Sequence, residues 1–110
     1  MEEEYIVVYC TVPNVDVAHA VSDHLVFNGL AACVNIIPGL TSIYRWKGEI
    51  CRDTELLLII KTRKSQFDPL KNAIIQKHPY QVPEIISLTI ADGHQPYLSW
   101  IKDSTSIINK

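Results

Sequence analysis

The sequence lacks most of the features that announce catalysis or membrane insertion. It has only 4 glycines in 110 residues, and none of them gathers into the glycine-rich loop that cradles a phosphate. There is no His-Glu-x-x-His pair and no serine flanked as a nucleophile elbow, which argues against an enzyme. Acylphosphatase-type chemistry would want cationic phosphate ligands just after the first strand, and Thr11-Val12-Pro13-Asn14 offers none. The longest aliphatic run, Leu56 to Ile60, is far too short to span a bilayer. An excess of charge of one sign is also missing. A formal net charge of -2 leaves no footprint for nucleic acid or an anionic membrane. The 3 cysteines (Cys10, Cys33 and Cys51) are odd in number, widely spaced and without a Cys-x-x-Cys pair, so free thiols in a reducing cytoplasm are expected. Met1-Glu2-Glu3-Glu4 is acidic, the opposite of a secretory signal.

What is present is enough apolar material for one core. Hydrophobic residues make up 47% and charged residues 20%, so residues 1–110 read as a single domain and not as a disordered chain. Tyr5 to Thr11 is a β-branched and aromatic run ended by Pro13-Asn14, and predicts a strand. Asn14 is placed to cap a helix with Asp16 in its first turn, an apolar stripe at Val17, Val21 and Leu25, and Gly29 at its end. Lys64 to His78 predicts a second helix through Phe67, Leu70 and Ile74, capped either by Ser65 or by Asp68 with Pro69 following. Ile85 to Ile90 predicts a further strand. Tyr97, Leu98 and Ile101 predict a short final helix, and Asp103 to Lys110 reads as a polar tail with little to hold it.

Between the helices runs a long β-hairpin. Leu40 to Trp46 alternates well, Lys47-Gly48 makes a two-residue turn with Gly48 supplying positive φ, and Glu49 to Thr62 returns. An arm from Cys33 to Trp46, roughly 14 residues at about 3.3 Å each, reaches on the order of 45 Å. A compact chain of this size has a radius of gyration of only about 13 Å. The tip, with Tyr44 and Trp46, therefore projects unless the arm bends, and Pro38-Gly39 is the one place for a bend. The order β-α-β-β-α-β plus a terminal helix is the split plan of ferredoxin-like α+β domains, with an antiparallel sheet whose first and third strands are central. Those strands, Ile6 to Cys10 and Leu56 to Ile60, are apolar at consecutive positions and hence on both faces. Helices cover one face in this plan, so the other calls for partner subunits, and a closed ring of protomers exchanging hairpin strands satisfies both constraints.

Candidate site residues are few. His78-Pro79-Tyr80-Gln81-Val82-Pro83-Glu84 is a rigid, extended connection bracketed by two prolines, which either only positions the fourth strand or sets His78 and Glu84 at the mouth of a cleft between subunits. Cys10 and Cys33 are small core hydrophobes or metal ligands; a thiolate and an imidazole suit copper better than any carboxylate here. Glu49, Asp53 and Glu55 read most simply as a solvated or salt-bridged face of the hairpin.

Taken together, Val8-Tyr9-Cys10-Thr11-Val12-Pro13, Leu30-Ala31-Ala32-Cys33-Val34-Asn35-Ile36-Ile37-Pro38-Gly39 and Ser42-Ile43-Tyr44-Arg45-Trp46-Lys47-Gly48 resemble the CutA divalent-cation tolerance family. Ile60-Lys61-Thr62, His78 to Glu84 and Tyr97-Leu98-Ser99-Trp100-Ile101 continue the resemblance in the same order, so that it spans about Tyr5 to Ile101. The resemblance implies a ferredoxin-like homotrimer, a cytoplasmic location in bacteria, and a role in tolerance of copper and other divalent metal ions. The copper ligands proposed in that family are a cysteine before Thr-x-Pro and two adjacent histidines before Pro-Tyr. Cys10 and His78 match two of these positions, while Lys77 stands at the other histidine position. The implied trimer also resembles the P-II signalling proteins. The alternative expectation is therefore a module that binds a small anionic metabolite between subunits, with Lys61 and Arg45 as anion contacts.

Overall fold

The computed structural model describes residues 3–106. The elements follow the expected order: β1 (Tyr5–Val12), α1 (Val15–Phe27), β2 (Cys33–Trp46), β3 (Glu49–Arg63), a 3-10 turn (Lys64–Gln66), α2 (Phe67–Lys77), β4 (Ile86–Thr89) and α3 (Gln95–Ser104). All pairings are antiparallel and the strand order is β2-β3-β1-β4, which puts β1 and β3 in the middle as the ferredoxin-like plan requires.

The helices begin and end where local chemistry tells them to. The Asn14 side chain accepts the Val17 N–H at 2.9 Å, the cap expected there. At the other end Gly29, with φ of 68°, donates to the Val26 carbonyl at 3.1 Å and Leu30 donates to Leu25 at 2.9 Å. This pair of bonds is the Schellman ending, which needs a left-handed residue just past the helix. The start of α2 differs from expectation. Neither Ser65 nor Asp68 caps it; the 3-10 turn leads in through Gln66, whose side chain makes no capping bond. Pro69 sits within the first turn, where its missing N–H costs nothing.

One face of the sheet carries the core. Ile6, Val8, Cys10 and Val12 of β1 and Leu56, Leu58 and Ile60 of β3 meet Ala18, Val21, Leu25, Leu70 and Ile74 of the two long helices. Successive strand residues alternate between faces, so Val7, Tyr9, Leu57 and Ile59 lie on the other side. Pairing brings Ile37, Ile86 and Leu88 to that same side, and these are 44%, 51% and 49% exposed. The second apolar face expected from the sequence is thus present.

The hairpin is as long as the sequence predicts. Lys47 and Gly48 both take positive φ (52° and 83°), the geometry of the tight turn whose twist matches its strands. The β2–β3 ladder shifts register between Ile37 and Leu40, so Pro38-Gly39 is where the arm yields, and Gly39 takes φ of 80°. At the tip Ile43, Tyr44, Trp46 and Ile50 are all at least 40% exposed.

The expected polar tail needs correcting where it is described; residues 107–110 lie outside the described residues. Asp103 and Ser104 complete α3, and Thr105 is buried. The Arg63 guanidinium holds it, donating to Thr105 Oγ1 at 2.8 Å and to its carbonyl at 2.9 Å, while also pairing with Glu3 at 3.3 Å. Gln66 donates to the same carbonyl at 3.3 Å. A lone threonine amid polar residues gave no hint of this anchor, because its partner lies 42 residues away.

Arg63→Met should lower stability by roughly 2–4 kcal/mol, since it removes charge-assisted bonds to partly buried groups. Lys64→Met, which breaks only an exposed 3.9 Å pair with Glu4, should cost under about 1 kcal/mol. Urea midpoints at one fixed protein concentration decide this, and equal shifts for the two variants would mean that Arg63 does not anchor α3.

Candidate functional site

The segment after α2 is shaped by its prolines. His78 ends the helix, donating its N–H to Ile74 at 2.8 Å, and takes extended backbone angles (φ -84°, ψ 135°) because Pro79 follows. Its side chain then folds back under the loop. The Tyr80 N–H donates to Nδ1 at 3.1 Å, so Nδ1 carries no proton and the proton on Nε2 goes to the Thr11 carbonyl at 2.7 Å. The Tyr80 ring packs on the imidazole with centroids 4.6 Å apart. His78 is 7% exposed and lies behind the loop, outside the lining of the cleft that this chain forms by itself.

Cys10 approaches the same spot from β1. Its thiol reaches the Thr11 carbonyl at 3.7 Å, so the two expected metal ligands converge on one oxygen atom. Burial, followed by the charges of Glu84 and Glu55, pushes the Cys10 thiol up from 9.0 to about 12. Sulfur and imidazole are donors that copper accepts. Here, however, the thiol holds its proton, both ring nitrogens are engaged by backbone, and no cluster of three or more His, Cys, Asp or Glu groups is found among the described residues. The pair as it stands is a hydrogen-bonded corner and not a formed ligand set. Cys33 pairs with Lys61 in the open-face register, while Cys10 pairs with Leu58 in the covered one, so these two thiols point to opposite sides of the sheet.

In front of the loop is a cleft of about 660 Å³ between the residue 79–84 segment and one side of the hairpin. Thr11, Tyr44, Trp46, Glu55, Tyr80 and Glu84 are among its lining residues, which include no lysine, arginine or histidine. Glu84 lines this cleft, which is formed within one chain. Glu55 corrects the reading of a solvated acidic face: it is 4% exposed and accepts the Tyr80 hydroxyl at 2.6 Å. Asp53 is likewise engaged, by the Tyr44 hydroxyl. Burial and the bond to Glu55 push the Tyr80 phenol well up, and the bond to Asp53 holds Tyr44 up at about 12. Glu55 could have been suspected from its place directly before the apolar run Leu56 to Ile60, where a strand is already entering the core. The expected anion contacts are elsewhere. Lys61 donates to the Asn35 side chain, and Arg45 alternates away from Tyr44 and Trp46 along the hairpin.

Residues 6–104 match the family model described as CutA1 divalent ion tolerance protein. The divalent-cation tolerance protein CutA of Thermus thermophilus is 52% identical over 105 residues, covering 96% of this chain and 99% of that protein. The chloroplastic CutA of Arabidopsis thaliana is 49% identical over 100 residues, which are 91% of this chain and 55% of the plant protein, so the chain spans about half the length of that relative. The solved structure of the Thermus thermophilus protein superimposes with a TM-score of 0.90 at 51% identity, covering 92% of this chain and 98% of that one. The chain therefore belongs to the CutA1 divalent ion tolerance family.

Proposed function

We propose that this protein serves in divalent-cation tolerance as a homotrimeric binding protein and not as an enzyme. The observation that carries the assembly is the open sheet face, where Ile37, Ile86 and Leu88 stand half exposed beside Val7, Tyr9, Leu57 and Ile59. A monomer would leave that contiguous apolar surface in water together with Tyr44 and Trp46 at the hairpin tip. The outer strands β2 and β4 also offer unpaired edges, which a three-membered ring can join head to tail. The role in tolerance is supported by the name that the Thermus thermophilus relative bears. The three free thiols suit a reducing compartment, and we place the protein in the cytoplasm, although a plant relative is named chloroplastic. Among the described residues no helix is long and apolar enough to cross a membrane.

Copper binding through Cys10 and His78 belongs to the same proposal and carries a structural requirement. The imidazole must leave either Thr11 or Tyr80, and the thiol must ionise against burial and two nearby carboxylates. No observation favours the anionic-metabolite reading, because the cleft presents carboxylates.

Light scattering at low micromolar concentration should give three times the chain mass, unchanged on dilution. A stable, soluble monomer would remove the basis of the assembly. For the metal, Cys10→Ser and His78→Ala should each weaken Cu(I) binding by at least about tenfold, while Cys51→Ser should not. Affinity should rise with pH across the neutral range, since the thiol starts protonated. Copper bound equally well by Cys10→Ser and His78→Ala would show that the metal sits elsewhere. The raised thiol also has a consequence for folding. Its stabilising preference for the protonated form is complete below pH 9 and should be lost as pH climbs from 9 towards 12. Cys10→Val should flatten that alkaline fall in thermal unfolding scans.

A further inference from the structure

We propose that Asn28-Gly29, at the end of α1, is a latent self-modification site. The folded protein holds its deamidation shut, and opening of the helix end lets it proceed once and irreversibly. This depends neither on metal binding nor on subunit assembly. It is the only Asn-Gly pair in the sequence. Glycine matters in second place because the attacking group is its own backbone nitrogen, which no side chain shields. In the reaction the Gly29 nitrogen bonds to the Asn28 Cγ and gives up its proton. The Cγ–Nδ2 bond breaks, and ammonia leaves with that proton. Water then opens the succinimide ring at either carbonyl, leaving an aspartate or an isoaspartate at position 28, with no oxidant or reductant involved.

Contacts at every reacting group oppose that step in the folded chain. The leaving amide is tied down, because Asn28 Nδ2 donates to the His24 carbonyl at 2.9 Å and to His24 Nδ1 at 3.2 Å. The attacking nitrogen is engaged as well: the Gly29 N–H donates to the Val26 carbonyl at 3.1 Å, and Gly29 is buried. Backbone geometry keeps the two apart. With ψ of 10° at Asn28, the Gly29 nitrogen lies beside the Asn28 nitrogen and away from the side chain, so ring closure needs rotation about that bond. The following residues resist such a rotation. Leu30 and Ala31 donate to the Leu25 carbonyl at 2.9 and 3.2 Å, and Ala32 donates to the Lys61 carbonyl at 2.9 Å. Thr62 Oγ1 donates to the Leu30 carbonyl at 2.7 Å.

The lock is therefore the helix ending itself, and it releases whenever that ending opens locally. The product cannot be locked again. An aspartate at position 28 has no N–H for the His24 carbonyl, and it sets negative charge at the negative end of the helix dipole. An isoaspartate routes the main chain through the former side chain and lengthens it by a methylene. The Gly29 and Leu30 bonds of the Schellman ending then no longer fit the same spacing. Either product loosens the connection that leads from α1 into β2, one arm of the hairpin. Time spent open is converted into a lasting loss of stability.

The test incubates the full chain in mildly alkaline buffer, native and in urea. Deamidation is followed by the mass gain of amide-to-acid conversion and located by peptide mapping. The unfolded chain should be modified at position 28, and the native chain at least about tenfold more slowly. His24→Ala frees the amide from the imidazole, and Thr62→Val unties the Leu30 carbonyl without touching the reacting groups. Each should speed the native rate at least about threefold and leave the rate in urea unchanged. Asn28→Asp, the direct product, should fold with a lower thermal midpoint at the same protein concentration. A native rate equal to that in urea, modification in urea at another asparagine in preference to Asn28, or a native rate unmoved by both variants would each overturn the proposal. So would an unchanged midpoint in Asn28→Asp, or a native rate slowed by His24→Ala, which would make the imidazole a participant and not a lock.

Discussion

The pairing of β1 with β3, unbroken from Tyr5 opposite Arg63 to Val12 opposite Leu56, is the constraint on which the other elements depend. Both strands are apolar at consecutive positions, so aligning them creates two apolar surfaces at once. The covered one closes over Ala18, Val21, Leu25, Leu70 and Ile74 and leaves Val8, Cys10, Leu58 and Ile60 without exposure. The other is left half open. The proposed subunit association rests on strand composition before any interface residue is considered. The same register places Arg63 opposite Tyr5 at one end of the sheet, where it reaches both Thr105 and Glu3.

At the opposite end, β1 stops at Val12 because Pro13 cannot extend the ladder, and the Thr11 carbonyl is left for a side chain to satisfy. His78 supplies that bond, and it can do so because Pro79 holds it extended at the end of α2. One loop residue further on, Tyr80 reaches Glu55 on β3. Two hydrogen bonds from residues two apart thus tie the loop to both central strands. The loop separates a buried corner with Cys10 from an open cleft with Trp46.

The fold was legible because its signals are local or periodic. Asn14, Gly29, Lys47-Gly48 and Pro38-Gly39 each demand a particular backbone geometry, and each adopts it. The apolar second face could be read from runs such as Leu56 to Ile60 without knowing what packs on them. The site was legible only in part. The proline bracket pointed to a rigid loop, and the family resemblance pointed to Cys10 and His78. That His78 faces backbone and not the cleft depends on side-chain torsion, which no spacing reveals. Glu55 was misjudged because Glu49, Asp53 and Glu55, on one side of the same strand, look like one solvated stripe. Its burial is caused by Tyr80, 25 residues away in the chain. Thr105 was missed for the same reason, since long-range polar pairs leave no periodic trace.

Corner and cleft are coupled through charge, and the order of causes limits how strongly. Glu84 and Glu55 oppose ionisation of Cys10, so a cation resting beside them would offset part of their field and ease loss of the thiol proton. By linkage, a Cys10 thiolate would in turn strengthen the hold on that cation. Burial is nevertheless the larger cause of the raised thiol, and a charge in the cleft does not relieve it. Neutralising both carboxylates would still leave Cys10 protonated near neutrality, because burial keeps raising the thiol. A soft metal ion entering the corner must therefore supply the energy of ionisation through its own bond to sulfur. Hard divalent ions, which gain little from sulfur, have no such means of displacing the proton.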